Sequence, residues 1–281
     1  MTAARSWGRG VAAALLAGYL QWVPGAALGE TLTMGGNGWS LGIMRILADA
    51  YTRHHPDVQI VIPPSVGSAG GIRAALAGKF DAAFSARVLT PDERNQGGAS
   101  VPLFRTPFVL AVSTAVPGDL ALTKQDVVKA FDLAIPAWPD GTPLRVVFRP
   151  ANESANDVLI THFPGIAPVL EAGRKRRGAI VLQTDQEVMK QGEQVAGTLV
   201  PGALVGILAE GRSLKPVAID GVAPSVEALM HNRYPMWVGM RFVVGPNPAA
   251  TVHDFIAFTR SKEGGDILLR HGALPVDHFD E

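Results

Sequence analysis

Two glycine-rich loops stand immediately before helix-patterned stretches of this chain, and a helix start is a place where backbone can hold an anion. Gly35-Gly36-Asn37-Gly38-Trp39-Ser40 is the first and Ser65-Val66-Gly67-Ser68-Ala69-Gly70-Gly71 the second. The first N–H groups of a helix have no partner within it and carry the positive end of the helix dipole, so they suit oxyanions. Glycine lets a ligand approach the main chain, and serine hydroxyls add donors. One such loop is an ordinary capped turn. Two in succession, with the polar loop Arg149-Pro150-Ala151-Asn152-Glu153-Ser154-Ala155-Asn156 further on, point to convergence on a single anion. Arg87 and Arg149 strengthen the case. They follow predicted strands over residues 80–85 and 144–148, at the carboxyl ends where open α/β sheets bind ligands. A guanidinium presents a rigid fork of donors suited to an oxyanion; a lone arginine reads rather as half of a surface salt bridge, and two placed alike leave both readings open.

Ser40 supports a rival reading. Gly38-Trp39-Ser40-Leu41-Gly42 matches G-x-S-x-G, the strained turn that exposes the nucleophile of α/β hydrolases. His271 with Asp254 or Asp266 would nominally complete a triad. Too little chain precedes Ser40 to build the earlier strands of such a sheet, so a binding protein is the expectation and a serine hydrolase the alternative. Histidines give no metal site: His54 and His55 are adjacent, and His162, His231, His253, His271 and His278 are scattered. No metal and no cofactor is expected.

The elements that must position these loops alternate between strand and helix. Residues 30–34 read as a short strand opening on the first loop. Leu41, Met44, Leu47, Ala48 and Tyr51 then recur at helical spacing, predicting an amphipathic helix over 40–54. Residues 58–62 are β-rich, a short helix follows the second loop to Gly78, and residues 80–85 form another strand. This is the grammar of a parallel α/β sheet. Thr90-Pro91-Asp92-Glu93 and Thr184-Asp185-Gln186-Glu187 are capping boxes, with weaker aspartate versions at Thr123–Asp126 and Thr251–Asp254. The apolar runs 108–113 and 237–244 stand apart. Paired, they make a hinge by which the chain leaves a first lobe and later returns, and the last helix then spans 252–260.

The charge is balanced, with 25 basic and 25 acidic side chains, which argues against a nucleic-acid partner. The basic run 174–177 reads as a solvated helix end. At 47% hydrophobic the chain can bury a substantial core. It has no cysteine, which excludes disulfides, thiolate catalysis and cysteine-ligated zinc. Arg5 and Arg9 precede an apolar stretch over 11–23, broken by Pro24-Gly25 and followed by Ala27-Leu28-Gly29. That is the layout of a cleaved secretory signal, and it is short for a membrane span, which needs about 20 residues. Export without a lipid-bearing cysteine fits the periplasm of a Gram-negative bacterium.

These residues together resemble the phosphate-type periplasmic solute-binding proteins of ABC importers. The most specific part is Val66-Gly67-Ser68-Ala69-Gly70-Gly71, then Gly78-Lys79-Phe80-Asp81, then Ala83-Phe84-Ser85-Ala86-Arg87-Val88-Leu89-Thr90. Leu144-Arg145-Val146-Val147-Phe148-Arg149, Pro201-Gly202-Ala203-Leu204-Val205-Gly206-Ile207, Tyr234-Pro235 and Gly272-Ala273-Leu274-Pro275 extend the likeness over most of the chain. The resemblance implies a two-lobed type II periplasmic binding fold, each lobe a mixed, mostly parallel sheet flanked by helices. Lobe I would be discontinuous, 30–112 and 236–281, with lobe II at 113–235 and a signal peptide at 1–29.

By motif position the implied ligand contacts are Trp39, Ser40, Ser68, Ser85, Arg87, Arg149, Ser154 and Asn156. The implied partners are a small anion of the phosphate or related oxyanion type and an ABC permease in the inner membrane, with the protein a monomer. A sensor or accessory role on the same shell is the alternative. Two departures bear on the ligand. Ala86 stands where the family often places an aspartate or serine, and an aspartate there can accept the proton of hydrogen phosphate. Glu153 precedes Ser154-Ala155-Asn156 where the family reads S-G-T, and near a dianion it would repel unless paired with Arg149.

Overall fold

The computed structural model describes residues 29–279, so the expected signal segment lies outside the described residues apart from Gly29. The chain begins with β1 (Glu30–Gly36), a 3-10 turn (Gly38–Ser40) and α1 (Leu41–His54). The apolar stripe predicted for this helix is its buried face: Leu41, Met44, Leu47, Ala48 and Tyr51 are all in the core. β2 (Val58–Val61), α2 (Gly67–Leu76) and β3 (Ala82–Ser85) complete the first α/β unit. β1 pairs in parallel with β2 on one side and β3 on the other. The carboxyl ends of these strands therefore open on one edge, which carries both glycine-rich loops. α3 (Pro91–Asn95) starts at the Thr90 capping box as predicted.

β4 (Ala99–Ser113) is one 15-residue strand shared by both halves of the molecule. Beyond it come β5 (Ala121–Leu122), α4 (Lys124–Phe131), β6 (Arg145–Val146), α5 (Ser154–His162) and α6 (Ile166–Lys175). Then follow α7 (Asp185–Gln194), β7 (Thr198–Ala203), α8 (Leu204–Ala209), β8 (Leu214–Pro216), β9 (Ala218–Ile219) and α9 (Val226–Met230). α4 and α7 start at capping boxes on Thr123 and Thr184, as expected. The basic run 174–177 sits at the end of α6, where cations complement the dipole.

The chain returns through β10 (Trp237–Val244), α10 (Ala250–Thr259), α11 (Lys262–Arg270) and β11 (Leu274–Pro275). The sheet order is β2-β1-β3-β10-β4-β7-β6, parallel toward both edges and antiparallel through the middle. This is the expected mixed α/β architecture.

The hinge differs from the expected pairing. β10 pairs with residues 99–107 of β4, while residues 108–113 pair with β7 and β8. The changeover falls at Pro107/Phe108, ahead of the expected lobe boundary at 112/113. Two prolines hid this strand from a periodicity reading. Proline cannot donate to a ladder and is tolerated at irregularities. Pro102 lies opposite the register shift at Met240/Arg241, and Pro107 sits where β4 changes partners. Tyr234 seals the crossing, its buried hydroxyl donating to the Phe108 carbonyl at 2.8 Å. The expected cap at Thr251 is also corrected. Ala249 precedes α10 without a side-chain cap, and the Thr251 hydroxyl donates instead to the Glu30 carboxylate.

Candidate functional site

The loop after β1 is held by its own asparagine. Asn37 Oδ1 accepts from the Trp39 N–H at 3.0 Å, and Ser40 Oγ donates to the Asn37 carbonyl at 2.9 Å. Trp39 is buried with its ring edge-on to Phe108 at 6.1 Å. Trp39 and Ser40, both expected as ligand contacts, are therefore spent on folding the turn. Asn37, which sequence reasoning passed over, faces the cleft in their place. The same geometry argues against the hydrolase alternative. Ser40 is 1% exposed and bonded to main chain, His271 Nδ1 contacts the Ile267 carbonyl within its own helix, and Asp266 pairs with Lys262.

The second loop opens α2 without a side-chain cap. Ser68 Oγ accepts from the Ala86 N–H at 3.0 Å and from Asn37 Nδ2 at 3.4 Å. With its acceptor capacity used, its hydroxyl hydrogen is left to donate toward the cleft. Ser85, another expected contact, is fully buried. It donates to the Arg87 carbonyl and accepts from the Arg87 N–H, so it shapes the turn rather than the cavity.

Arg87 reaches the cleft wall, but its fork is closed by Glu93 at 2.7 and 2.8 Å. Glu93 is the same residue that caps α3, and the Arg87 guanidinium holds its carboxyl at about 2, well below the ordinary range. A folded-state value below the unfolded one stabilises above the ordinary carboxylate pKa and fades as pH falls through the depressed value. Glu93→Gln is thus expected to be about 2 kcal/mol less stable than wild type at neutral pH. Urea midpoints of the two proteins should converge as pH falls from about 4.5 to about 2.

Across the cleft stands Arg149, 3% exposed. One of its nitrogens, Nη2, meets Glu153 at 2.8 Å and Asp185 at 3.2 Å. Its Nε and Nη1 are buried and without a partner. The Glu153 pairing anticipated from sequence is present, and because that carboxylate is turned to Arg149 it does not cap α5. Ser154, the first residue of α5, lines the cavity. Asn156 does not. It is buried, with Nδ2 donating to the Pro150 carbonyl at 2.6 Å, and serves to fold the loop. Asp185, unforeseen as a site residue, is buried at the start of α7. Burial, the largest influence, pushes its carboxyl up to about 6 against the lowering effect of Arg149.

The cavity these loops enclose is about 410 Å³. Of the predicted contacts it gathers Ser68, Arg87, Arg149 and Ser154, and it adds Asn37, Arg73, Glu153 and Asp185. A wider groove of about 1020 Å³ borders Arg94, Arg241 and Phe279, and no glycine-rich helix start lines it. Among the described residues no cluster of three or more His, Asp or Glu is placed to hold a metal, and no helix is long and apolar enough to cross a membrane. Chemically, the arrangement offers uncapped helix starts, serine hydroxyls and an unsaturated buried guanidinium around one small volume.

Known proteins match this fold widely. A putative phosphate ABC transporter substrate-binding protein with bound phosphate, from Clostridium perfringens, aligns over 88% of this chain and 100% of its own, at TM-score 0.73 and 19% identity. An ABC-type phosphate transport receptor from Vibrio cholerae covers 86% of this chain and 99% of its own, at TM-score 0.58 and 19% identity. CbnR, a LysR family transcriptional regulator, covers 82% of this chain and 69% of its own, at TM-score 0.54 and 16% identity. At such identities these are likenesses of fold, and one fold serves several functions. No curated protein matches the chain significantly. The family model of the PBP superfamily domain matches residues 23–263. The chain thus belongs to the PBP superfamily and has the two-lobed α/β fold of type II periplasmic binding proteins.

Proposed function

We propose that this protein is an exported solute-binding protein that captures a small oxyanion, phosphate or a related ion, in the Arg149 cleft and delivers it to an ABC permease. The observation that carries the reading is Arg149: a buried guanidinium with Nε and Nη1 unsatisfied beside a cavity flanked by the uncapped starts of α2 and α5. A buried unpaired donor is costly, by about 1–3 kcal/mol or more, and an oxyanion would satisfy it. The ligand would take Arg149 Nε and Nη1, the Ser68 hydroxyl and the first N–H groups of the two helices. The protein described with bound phosphate shares the fold over nearly its whole length, which supports the ligand class.

The two lobes would have nearly the expected ranges, with the first boundary moved from 112/113 to Pro107/Phe108, where β4 changes partners, and would bend about the crossing of β4 and β10. The role is binding rather than catalysis, and the site of action would be the periplasm. The test is thermal unfolding with phosphate, sulfate, molybdate, tungstate and small carboxylates, at mildly acid and mildly alkaline pH. A ligand at a hundredfold excess over its Kd adds about 2.7 kcal/mol, or about 5 °C or more for a chain of this size. Absence of any shift across the series would overturn the reading.

A further inference from the structure

We propose that Asp185 is a resident anion of the cleft, a carboxylate that bridges the two lobes in the seat of the incoming oxyanion and must be neutralised or displaced when one binds. This rests on the anion-binding reading of the cleft and names the residue that regulates it.

The geometry is specific. Asp185 Oδ1 lies 3.2 Å from Arg149 Nη2, within its own lobe. On the other side the same carboxylate packs against Gly38, in the loop after β1, whose backbone lowers its titration. A Cβ on Gly38 would stand 2.5 Å from Asp185 Oδ2 and 2.9 Å from its Cβ, so only glycine admits the contact. The next residue, Gln186, donates from Nε2 to the Gly38 carbonyl at 3.0 Å. Two consecutive residues at the start of α7 thus close on one glycine in the opposite lobe, Asp185 by packing and Gln186 by a hydrogen bond to its carbonyl. A guanidinium beside a glycine-lined turn is what an oxyanion would seek, and here a carboxylate of the protein lies against both.

Charge points the same way. Arg149 faces two carboxylates, Glu153 and Asp185, so a dianion entering the cleft meets a guanidinium already neutralised. Of the two, Asp185 is the more enclosed and the one that touches the opposite lobe. Glu210, after α8, also faces Asp185, and its own charge is balanced by Arg212, which in turn holds Glu193. The field around Asp185 is therefore set by Arg149 on one side and by Glu153 and Glu210 on the other. Burial and these neighbours bring its titration to about 6. Neutralising Asp185 favours a bound anion, so binding takes up a proton and affinity rises as pH falls.

Calorimetric titration of wild type, Asp185→Asn and Asp185→Ala with inorganic sulfate and inorganic phosphate tests this, at about pH 8 and about pH 5.5. Sulfate keeps both charges over that range, so any pH dependence belongs to the protein. Phosphate changes charge, but identically for every variant at one pH. Both variants are expected to bind about tenfold or more tightly than wild type near pH 8, with the gap closing toward pH 5.5. Variants that bind no tighter than wild type near pH 8, or that keep its pH dependence, would overturn the proposal while leaving the anion site standing. If neither ion binds any of the three proteins at either pH, the anion-binding reading fails and this inference goes with it.

Discussion

Arg149→Lys is expected to weaken oxyanion binding by about 100-fold or more while leaving the protein folded. The reasoning starts from the two nitrogens of Arg149 that lack partners, Nε and Nη1. Hydrogen bonds to charged groups contribute about 1.5–3 kcal/mol each, so losing two costs at least two orders of magnitude in affinity. Lysine keeps a positive charge between Glu153 and Asp185 but cannot present the planar fork. Arg149→Ala separates binding from stability. It strands the buried carboxylate of Asp185 beside the half-buried Glu153, and removing one partner of a buried ion pair costs about 3–5 kcal/mol. That loss should be largest at neutral pH and shrink in acid as Asp185 protonates. Calorimetric titration reads the first effect and urea denaturation at two pH values the second. Undiminished binding by Arg149→Lys would remove Arg149 from the site.

Gly36→Ala should destabilise the fold by about 3 kcal/mol or more, enough to populate unfolded protein near ambient temperature. Gly36 ends β1 with φ +146°, a conformation that side chains rarely tolerate, and a Cβ there would stand 2.2 Å from the Phe84 carbonyl oxygen. That carbonyl cannot retreat, because it also accepts from the Asn37 N–H at 2.9 Å. The close approach of β1 and β3 fixes where the first loop leaves the sheet, so binding would suffer alongside stability. Gly202→Ala is the control. Gly202 lies in β7, and a Cβ there would meet nothing nearer than a Val109 methyl at 3.9 Å. Its midpoint in urea should stay within about 0.5 kcal/mol of wild type. Equal midpoints for the two variants would contradict the packing described.

Most of the architecture was legible because its signals are local. Thr90, Thr123 and Thr184 announce helices through contacts three residues away, and all three form the predicted boxes. Thr251 has the same spacing to Asp254, but its hydroxyl is drawn to Glu30 at the far end of the chain, a competitor that no local pattern reveals. β4 was half hidden because Pro102, Arg105 and Pro107 interrupt its apolar run. The site divides along the same line. Arg149 and Glu153 are four residues apart and their pairing could be anticipated. Trp39, Ser40, Ser85 and Asn156 were expected to touch ligand because they occupy motif positions, yet Trp39 gives its N–H to the Asn37 side chain and the other three satisfy neighbouring carbonyls. Arg87 was expected to bind, whereas its partner Glu93 serves both a helix cap and an ion pair. Asp185 was read only as part of a capping box. Its partners Gly38 and Arg149 are remote in sequence, and the space it fills exists because position 38 carries no side chain.

The place of β10 in the sheet sets an order of assembly. It lies between β3 and β4, so the amino-terminal strands have no middle until residues 237–244 join them. Contacts between distant parts of a chain form slowly, since loop-closure entropy must be overcome before any pairing rewards it. The intervening segment, which begins at Phe108 and has its own strands and helices, can condense first and bring the two ends together. A nascent chain cut short before Trp237 would carry unpaired edges on β3 and on the first half of β4. The sheet is therefore completed only when one late strand enters the gap between β3 and β4.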